Sequence, residues 1–439
     1  MLELNGVNSY YGTVLVKDLI EFIRVKRASC DIHRVISFLA AKSEISGRLF
    51  QAYKVDGSKA SFELCDAELL FLVADIISNN VSDPTLTIST KFKWCNAALK
   101  LLERSSVAIS NKYRLKQVHQ RISDVLDKLV AETRGEVIES QSILTCKLDT
   151  ELKTLPVTIL FWEGPIGRAY LAMLRGCGYK PQKILNLVSS VDLASKKAVA
   201  GFLPRFIRER YCKFAQKSQS HYWSDYIKRS QSAVYTCFKE AVVTGFNIPN
   251  VVFEESYKKL PLSQYSDSVI DLFVSGINDS TLQEVIAREK GNILFTGGGI
   301  VPKSLLEVKD VNFMHVHPGK LPQIRGADCT LWSHLIANQP SATLFMMAPG
   351  IDDGDVIWGD FLPVCNFSFS SASLDEQTLY RAVYAYLDPW IRASILRKGL
   401  EVTKAFSSIL PVAQKHELGV NFHFMHSQLK NLAFNKIFK

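Results

Sequence analysis

Val157-Thr158-Ile159-Leu160-Phe161-Trp162-Glu163-Gly164-Pro165-Ile166-Gly167 is a short apolar run, rich in β-branched residues, that stops at a glycine–proline turn. A helical stretch from Arg168 to Leu174 follows, ends at Gly176-Cys177-Gly178, and gives way to a second apolar run, Ile184-Leu185-Asn186-Leu187-Val188. Strand, glycine turn, helix and strand make a βαβ unit, which implies a parallel sheet with a right-handed crossover. The turn lacks the Gly-x-Gly-x-x-Gly spacing of a dinucleotide site, so its glycines alone name no ligand.

Downstream, Asn250-Val251-Val252-Phe253 reads as a third strand, and Asn278-Asp279-Ser280-Thr281 as the cap of a helix from Leu282 to Arg288. Asn292-Ile293-Leu294-Phe295-Thr296 runs into Gly297-Gly298-Gly299-Ile300-Val301-Pro302, a turn whose glycines let backbone approach a ligand. Further strands are expected at Met314-His315-Val316-His317 and Ala342-Thr343-Leu344-Phe345-Met346-Met347, with a closing helical region from Leu374 to Leu400. This is an open α/β pattern, and such folds bind ligands beyond the carboxyl ends of their strands.

Upstream, apolar residues recur at helical spacing from Val14 to Ile23, Val35 to Ala41, Ala67 to Ile77 and Ile122 to Leu129. The chain of 439 residues is longer than one core usually grows. It divides into a helical domain over 1–150, an α/β domain over 151–405 and a tail over 406–439. The helical part carries no motif; it can cover a cavity, mediate a homodimer or bind a partner.

Composition narrows the class. With 47% hydrophobic and 22% charged residues and no long uncharged apolar run, the sequence is that of a globular protein with no membrane helix. The start, Met1-Leu2-Glu3-Leu4-Asn5-Gly6, lacks a secretory leader pattern, so a cytoplasmic location is expected. Nine cysteines lie far apart without zinc-ligand spacing, which predicts reduced thiols and no metal site. The net charge of +9 is unevenly placed: residues 1–150 hold 20 Lys+Arg against 18 Asp+Glu. The excess concentrates in Arg205, Arg208, Arg210, Lys213, Lys217, Lys228 and Arg229, interleaved with Phe206, Tyr211, Phe214, Tyr222, Trp223 and Tyr226. Such a segment can hold a nucleic acid or an anionic nucleotide; the plainer reading is an amphipathic helix with a basic outer face and an aromatic core face.

Chemistry gathers at the ends of the later strands. Period-two alternation puts the His315 and His317 imidazoles on one side of their strand, and Gly350-Ile351-Asp352-Asp353-Gly354-Asp355-Val356-Ile357 turns out of the next one. A carboxylate beside an imidazole sets its tautomer and stabilises its protonated form, which makes a proton-transfer centre. The spacing of Asp352, Asp353 and Asp355 is not that of a calcium loop.

Here the sequence resembles the folate-dependent formyltransferases. Their signatures read Asn-x-His-(Pro/Gly)-Ser-Leu-Leu-Pro-x-x-x-Gly and Gly-(Leu/Ile)-Asp-x-Gly-x-Ile. His317, Pro318, Leu321, Pro322 and Gly326 fit the first, and Gly350, Ile351, Asp352, Gly354 and Val356 the second. The resemblance covers about 250 residues from Leu155 onward and leaves 1–150 out. It implies a Rossmann-like domain with a mostly parallel sheet, and the all-α amino-terminal domain ahead of it rests on helical spacing alone. It also implies a formyl donor, 10-formyltetrahydrofolate, and a primary amine of a small molecule as acceptor. An aminoacyl-tRNA is a second possible acceptor, and a non-catalytic binding protein a third reading. His317 is then the proton-transfer residue and oxyanion donor, Asp352 orients it, and the pterin lies against Gly298, Gly299, Ile300, Val301, Gly350 and Ile351. Arg325 and Asp328 would line the acceptor pocket. The chain departs from the pattern at two places: His315 stands where the family has its catalytic asparagine, and Gly319 where it has serine.

Overall fold

The computed structural model describes residues 64–106, 109–133, 151–192, 197–369 and 374–438. The helical readings at 14–23 and 35–41 lie outside them. The described residues form two compact units, one of 64–133 with 422–432, the other of 151–421 with 433–438.

Among the described residues the first unit holds three whole helices, α1 (Leu64–Asn80), α2 (Ile88–Ser105) and α3 (Lys112–Glu132), and the opening residues of a later one, Ser427–Ile437. Thr87 and Asn111 cap α2 and α3 by accepting the backbone N–H groups of Thr90 and Arg114. The buried residues of α3 are Val118, Ile122, Leu126 and Leu129, a single stripe at helical spacing.

The second unit is an α/β domain. Its strands are β1 (Lys153–Trp162), β2 (Tyr179–Ser189), β3 (Val269–Val274), β4 (Gly291–Phe295), β5 (Val311–His317), β6 (Ser341–Met346) and β7 (Val356–Phe361). They form one sheet in the order β3-β2-β1-β4-β5-β6-β7, parallel through β5 and antiparallel beyond it. Leu155 and residues 157–161 are buried, as expected for a central parallel strand covered on both faces. The βαβ unit closes as expected through α4 (Pro165–Gly176), which starts with proline in its first turn. Asp279 caps the helix Ser280–Ile286 by accepting the Thr281 N–H at 2.9 Å.

Two sequence expectations are corrected. Asn250-Val251-Val252-Phe253 is the first turn of a helix, Asn250–Lys258, and the third strand is instead Val269–Val274. The basic segment forms helices Arg205–Ser220 and Tyr222–Ser230, but the aromatic side chains Phe206, Tyr211, Phe214 and Tyr222 are exposed rather than turned to the core. The closing region is Glu376–Ala382, a π-helical segment Val383–Leu387, and Asp388–Val402. The stretch read as a tail carries a further helix, Ser427–Ile437. The six cysteines 95, 177, 212, 237, 329 and 365 are free thiols. Among the described residues no helix is long and apolar enough to cross a membrane, and no cluster of three His, Cys, Asp or Glu is placed to hold a metal.

Candidate active site

The chain leaves β1 for β2 and β3 on one side and returns to β4 on the other, so the carboxyl ends of β1 and β4 flank the topological switch point. There the Trp162 N–H donates to Thr296 Oγ1 at 2.9 Å and the Thr296 N–H to the Leu160 carbonyl at 3.1 Å, tying the two strand ends together. The glycine turn projects immediately beyond. Ile300 is exposed and Val301 buried, and a Cβ built on Gly298 or Gly299 meets nothing within 4 Å. Gly299 holds a left-handed φ of 95°, which a side chain rarely adopts.

Beside the same crevice, Glu163 receives two hydrogen bonds from Arg168, at 2.8 and 2.6 Å, and faces Nε2 of the fully buried His221 at 2.9 Å. Burial alone would raise the Glu163 pKa, but these partners outweigh it and hold it at about 2.

β4 and β5 stay in register as far as Leu294 and Met314 and then part. His315 fills the gap: its Nδ1–H donates to the Phe295 carbonyl at 2.9 Å, which leaves the lone pair on Nε2. Arg392 lies 3.5 Å from that Nε2 and donates to the Val316 carbonyl at 2.8 Å. Arg392 is itself held by Asp388 at 2.9 Å, a fully buried carboxylate that also accepts the Thr330 hydroxyl. Burial, and then the charge of Arg392, push the His315 imidazole down to about 4. It is therefore neutral at neutral pH, with both ring nitrogens engaged inside the protein.

His317 and Asp352 come together. His317 Nδ1 lies 3.3 Å from Asp352 Oδ2, and its Nε2–H donates to the Ile324 carbonyl at 2.9 Å. The Gly326 N–H donates to the same Asp352 oxygen at 3.0 Å. Burial would raise the Asp352 carboxyl, but the charge and hydrogen bond of His317, with the Gly326 N–H, hold it well below the usual carboxylate range. Gln414 supports this loop by donating to the Asp352 carbonyl at 3.0 Å.

The remaining expected residues have internal partners. Arg325 is buried, paired with Asp353 at 2.9 Å and bonded to Gln414 at 2.9 Å, so it braces the Asp352 loop. Asp328, also buried, accepts the hydroxyls of Tyr380 and Tyr384, each at 2.8 Å. Gly350 sits in the same loop at φ 135°, and Ile351 is exposed beside it. The sequence reading missed Arg392, Asp388, Gln414, Tyr380 and Tyr384. Asp388 and Arg392 stand four residues apart in a largely apolar helix, a spacing that signals an ion pair; Gln414 has no such signal.

No family model matches the chain. A curated methionyl-tRNA formyltransferase of Syntrophus aciditrophicus is 27% identical over 92 residues, 20% of this chain and 30% of the relative. Over those 92 residues this chain is similar to a formyltransferase. The match spans less than a third of that relative's length. Among solved structures, this chain is similar to a 4-N formyltransferase from Francisella tularensis, at 10% identity and a TM-score of 0.33, covering 64% of this chain and 87% of that one. A methionyl-tRNA formyltransferase from Clostridium thermocellum matches at 16% identity and a TM-score of 0.26, over 44% of this chain and 70% of that one. The HypX protein of Aquifex aeolicus, in complex with tetrahydrofolic acid, matches at 15% identity and a TM-score of 0.28, over 45% of this chain and 32% of that one.

Proposed function

We propose that the α/β unit transfers a formyl group from 10-formyltetrahydrofolate to the primary amine of a small acceptor, a class that includes nucleotide-linked amino sugars. The observation that carries this reading is the His317–Asp352 pair at the carboxyl end of β5, beside the open glycine turn. The donor supplies an activated formyl carbon. Backbone at Gly298 and Gly299 has the clearance to face a flat ring, and exposed Ile300 and Ile351 offer apolar contact. Asp352 stays ionised and orients the His317 ring; the amine nitrogen bonds to the formyl carbon, the bond from that carbon to the donor nitrogen breaks, and the amine's proton leaves with the departing tetrahydrofolate. Negative charge growing on the formyl oxygen needs a nearby donor, a contribution of roughly 3–4 kcal/mol in comparable sites.

A second reading, folate binding without transfer, is favoured by His315, whose ring nitrogens both have internal partners. One experiment separates the two: incubation with 10-formyltetrahydrofolate and a panel of amines, following both tetrahydrofolate release and the formylated product by mass. Transfer that falls by about 10²–10⁴-fold in His317→Ala supports the enzyme. Saturable folate binding with no release supports the second reading, and absence of folate binding removes both.

A further inference from the structure

The helix Arg205–Ser220 buries only Cys212 and Gln216, which lie one turn apart. Opposite that anchored face run Phe206, Ile207, Arg210, Tyr211 and Phe214, spaced i, i+1, i+4, i+5 and i+8, one continuous stripe of a helix. Phe206 is 65% and Phe214 69% exposed, and Phe202, just ahead of the helix, is 88% exposed. Large apolar side chains normally reach solvent singly; a rimmed group of them marks a contact surface. The rim is cationic: Arg205 and Arg208 join Arg210, whereas Lys213 is paired with Asp271 and Lys217 donates to the Lys259 carbonyl, and the one acid of the helix, Glu209, is engaged by Arg205.

We propose that this helix lies flat on a bilayer surface bearing anionic headgroups, its phenylalanines entering the headgroup–acyl boundary and its cations remaining among the lipid phosphates and carboxylates. An apolar face with Phe, bounded by Arg and Lys on a helix of modest length, is what such interfacial helices present. Arg210, inside the stripe, can lay its methylenes along the apolar face and lift its charge to the headgroups. A symmetric contact with a second copy is disfavoured, because it would set Arg208 and Arg210 against the same two cations. Single-stranded nucleic acid fits the charge but not the stripe: stacking needs rings, and Ile207 beside Phe206 offers none. The proposal is independent of the formyl-transfer reading.

The test is sedimentation of the full chain with phosphatidylcholine vesicles, with and without phosphatidylserine, and in parallel binding of a single-stranded RNA. Two double variants are compared, Phe206→Glu with Phe214→Glu, and Phe206→Leu with Phe214→Leu. Both pairs are exposed, and circular dichroism and a thermal melt confirm that each variant folds. We expect binding to phosphatidylserine vesicles that weakens with salt, falls by about tenfold or more in the glutamate pair and persists in the leucine pair. Leucine keeps apolar burial but removes every stacking ring, so RNA binding that both variants abolish, without vesicle binding, would overturn the proposal in favour of nucleic acid. Failure to sediment with either vesicle at low salt, or sedimentation unchanged by glutamate, would also overturn it.

Discussion

Gly319 shows how one atom constrains the site. A Cβ at this position would lie 2.5 Å from the Ile324 carbonyl and 2.9 Å from His317 Nε2, the two partners of the hydrogen bond that anchors the His317 ring. The serine of the family pattern therefore does not fit this arrangement. Gly319→Ser should destabilise the fold by about 1–3 kcal/mol, the usual range for overpacking, and weaken folate binding; denaturant unfolding and ligand titration check the two effects. His315 leads to a pH prediction. Its pKa is about 4 folded, against 6.5 as the ordinary value, so between these pH values the unfolded chain takes up protons that the folded chain refuses. Its contribution is complete above about pH 6.5 and is lost as pH falls toward 4. From pH 7 to 5 this amounts to about 2 kcal/mol. His315→Asn should remove that share of the acid sensitivity, while His334, also buried and lowered to about 4, retains its own; unfolding midpoints at the two pH values measure the difference. What the sequence disclosed at this scale was position. The histidines and Asp352 were legible because strand alternation and glycine turns are local. The partners of His315 were not, because Phe295 and Arg392 lie 20 and 77 residues away along the chain.

At the scale of elements, the helix Asp388–Val402 sets the back of the site. Asp388 is fully buried and Arg392 nearly so, and together they reach the Thr330 hydroxyl, the Val316 carbonyl and His315. Breaking such a pair from one side strands a charge in the core. Arg392→Met should therefore cost about 3–5 kcal/mol, whereas the double change with Asp388→Asn should cost less than that; equilibrium unfolding of both variants checks the order. Strand and helix identities were readable wherever a run was long and bounded. Asn250-Val251-Val252-Phe253 misled because β-branched residues dominate it, yet Pro249 ahead of it and burial of Val252, Phe253 and Ser256 place it on a helix. Val252 packs so closely on the helix Pro165–Gly176 that a Cβ on Gly176 would come within 2.7 Å of it. The true strand, Val269–Val274, was hidden because Asp271 interrupts its apolar pattern; that carboxylate takes hydrogen bonds from Asn186 and Lys213 at the edge of the sheet.

At the scale of the whole molecule, the parallel βαβ start of the α/β sheet followed from local periods and the crossover rule, whereas the strands Val269–Val274 and Val356–Phe361 and the company kept by the last residues did not. Segment 422–432 belongs to the helical unit although more than 280 residues separate it from α3, and one side chain makes two of the hydrogen bonds that hold it there. Asn96, fully buried in α2, donates from Nδ2 to the Phe424 carbonyl at 3.2 Å and accepts the His426 N–H on Oδ1 at 2.7 Å. Both halves of an amide are thus spent on two backbone groups of a distant segment, a geometry no hydrophobic period encodes. Gln428 adds a bond to Ser123 of α3 at 2.9 Å. Asn96→Ala removes the partners of one backbone acceptor and one donor at once, and a buried group left unpaired costs about 1–3 kcal/mol. Amide exchange over 422–432 should therefore accelerate in Asn96→Ala, while exchange in β1 and β4 of the other unit should stay as in the parent chain. Equal acceleration in both units would mean that the segment stabilises the whole molecule as one cooperative body rather than the helical unit alone.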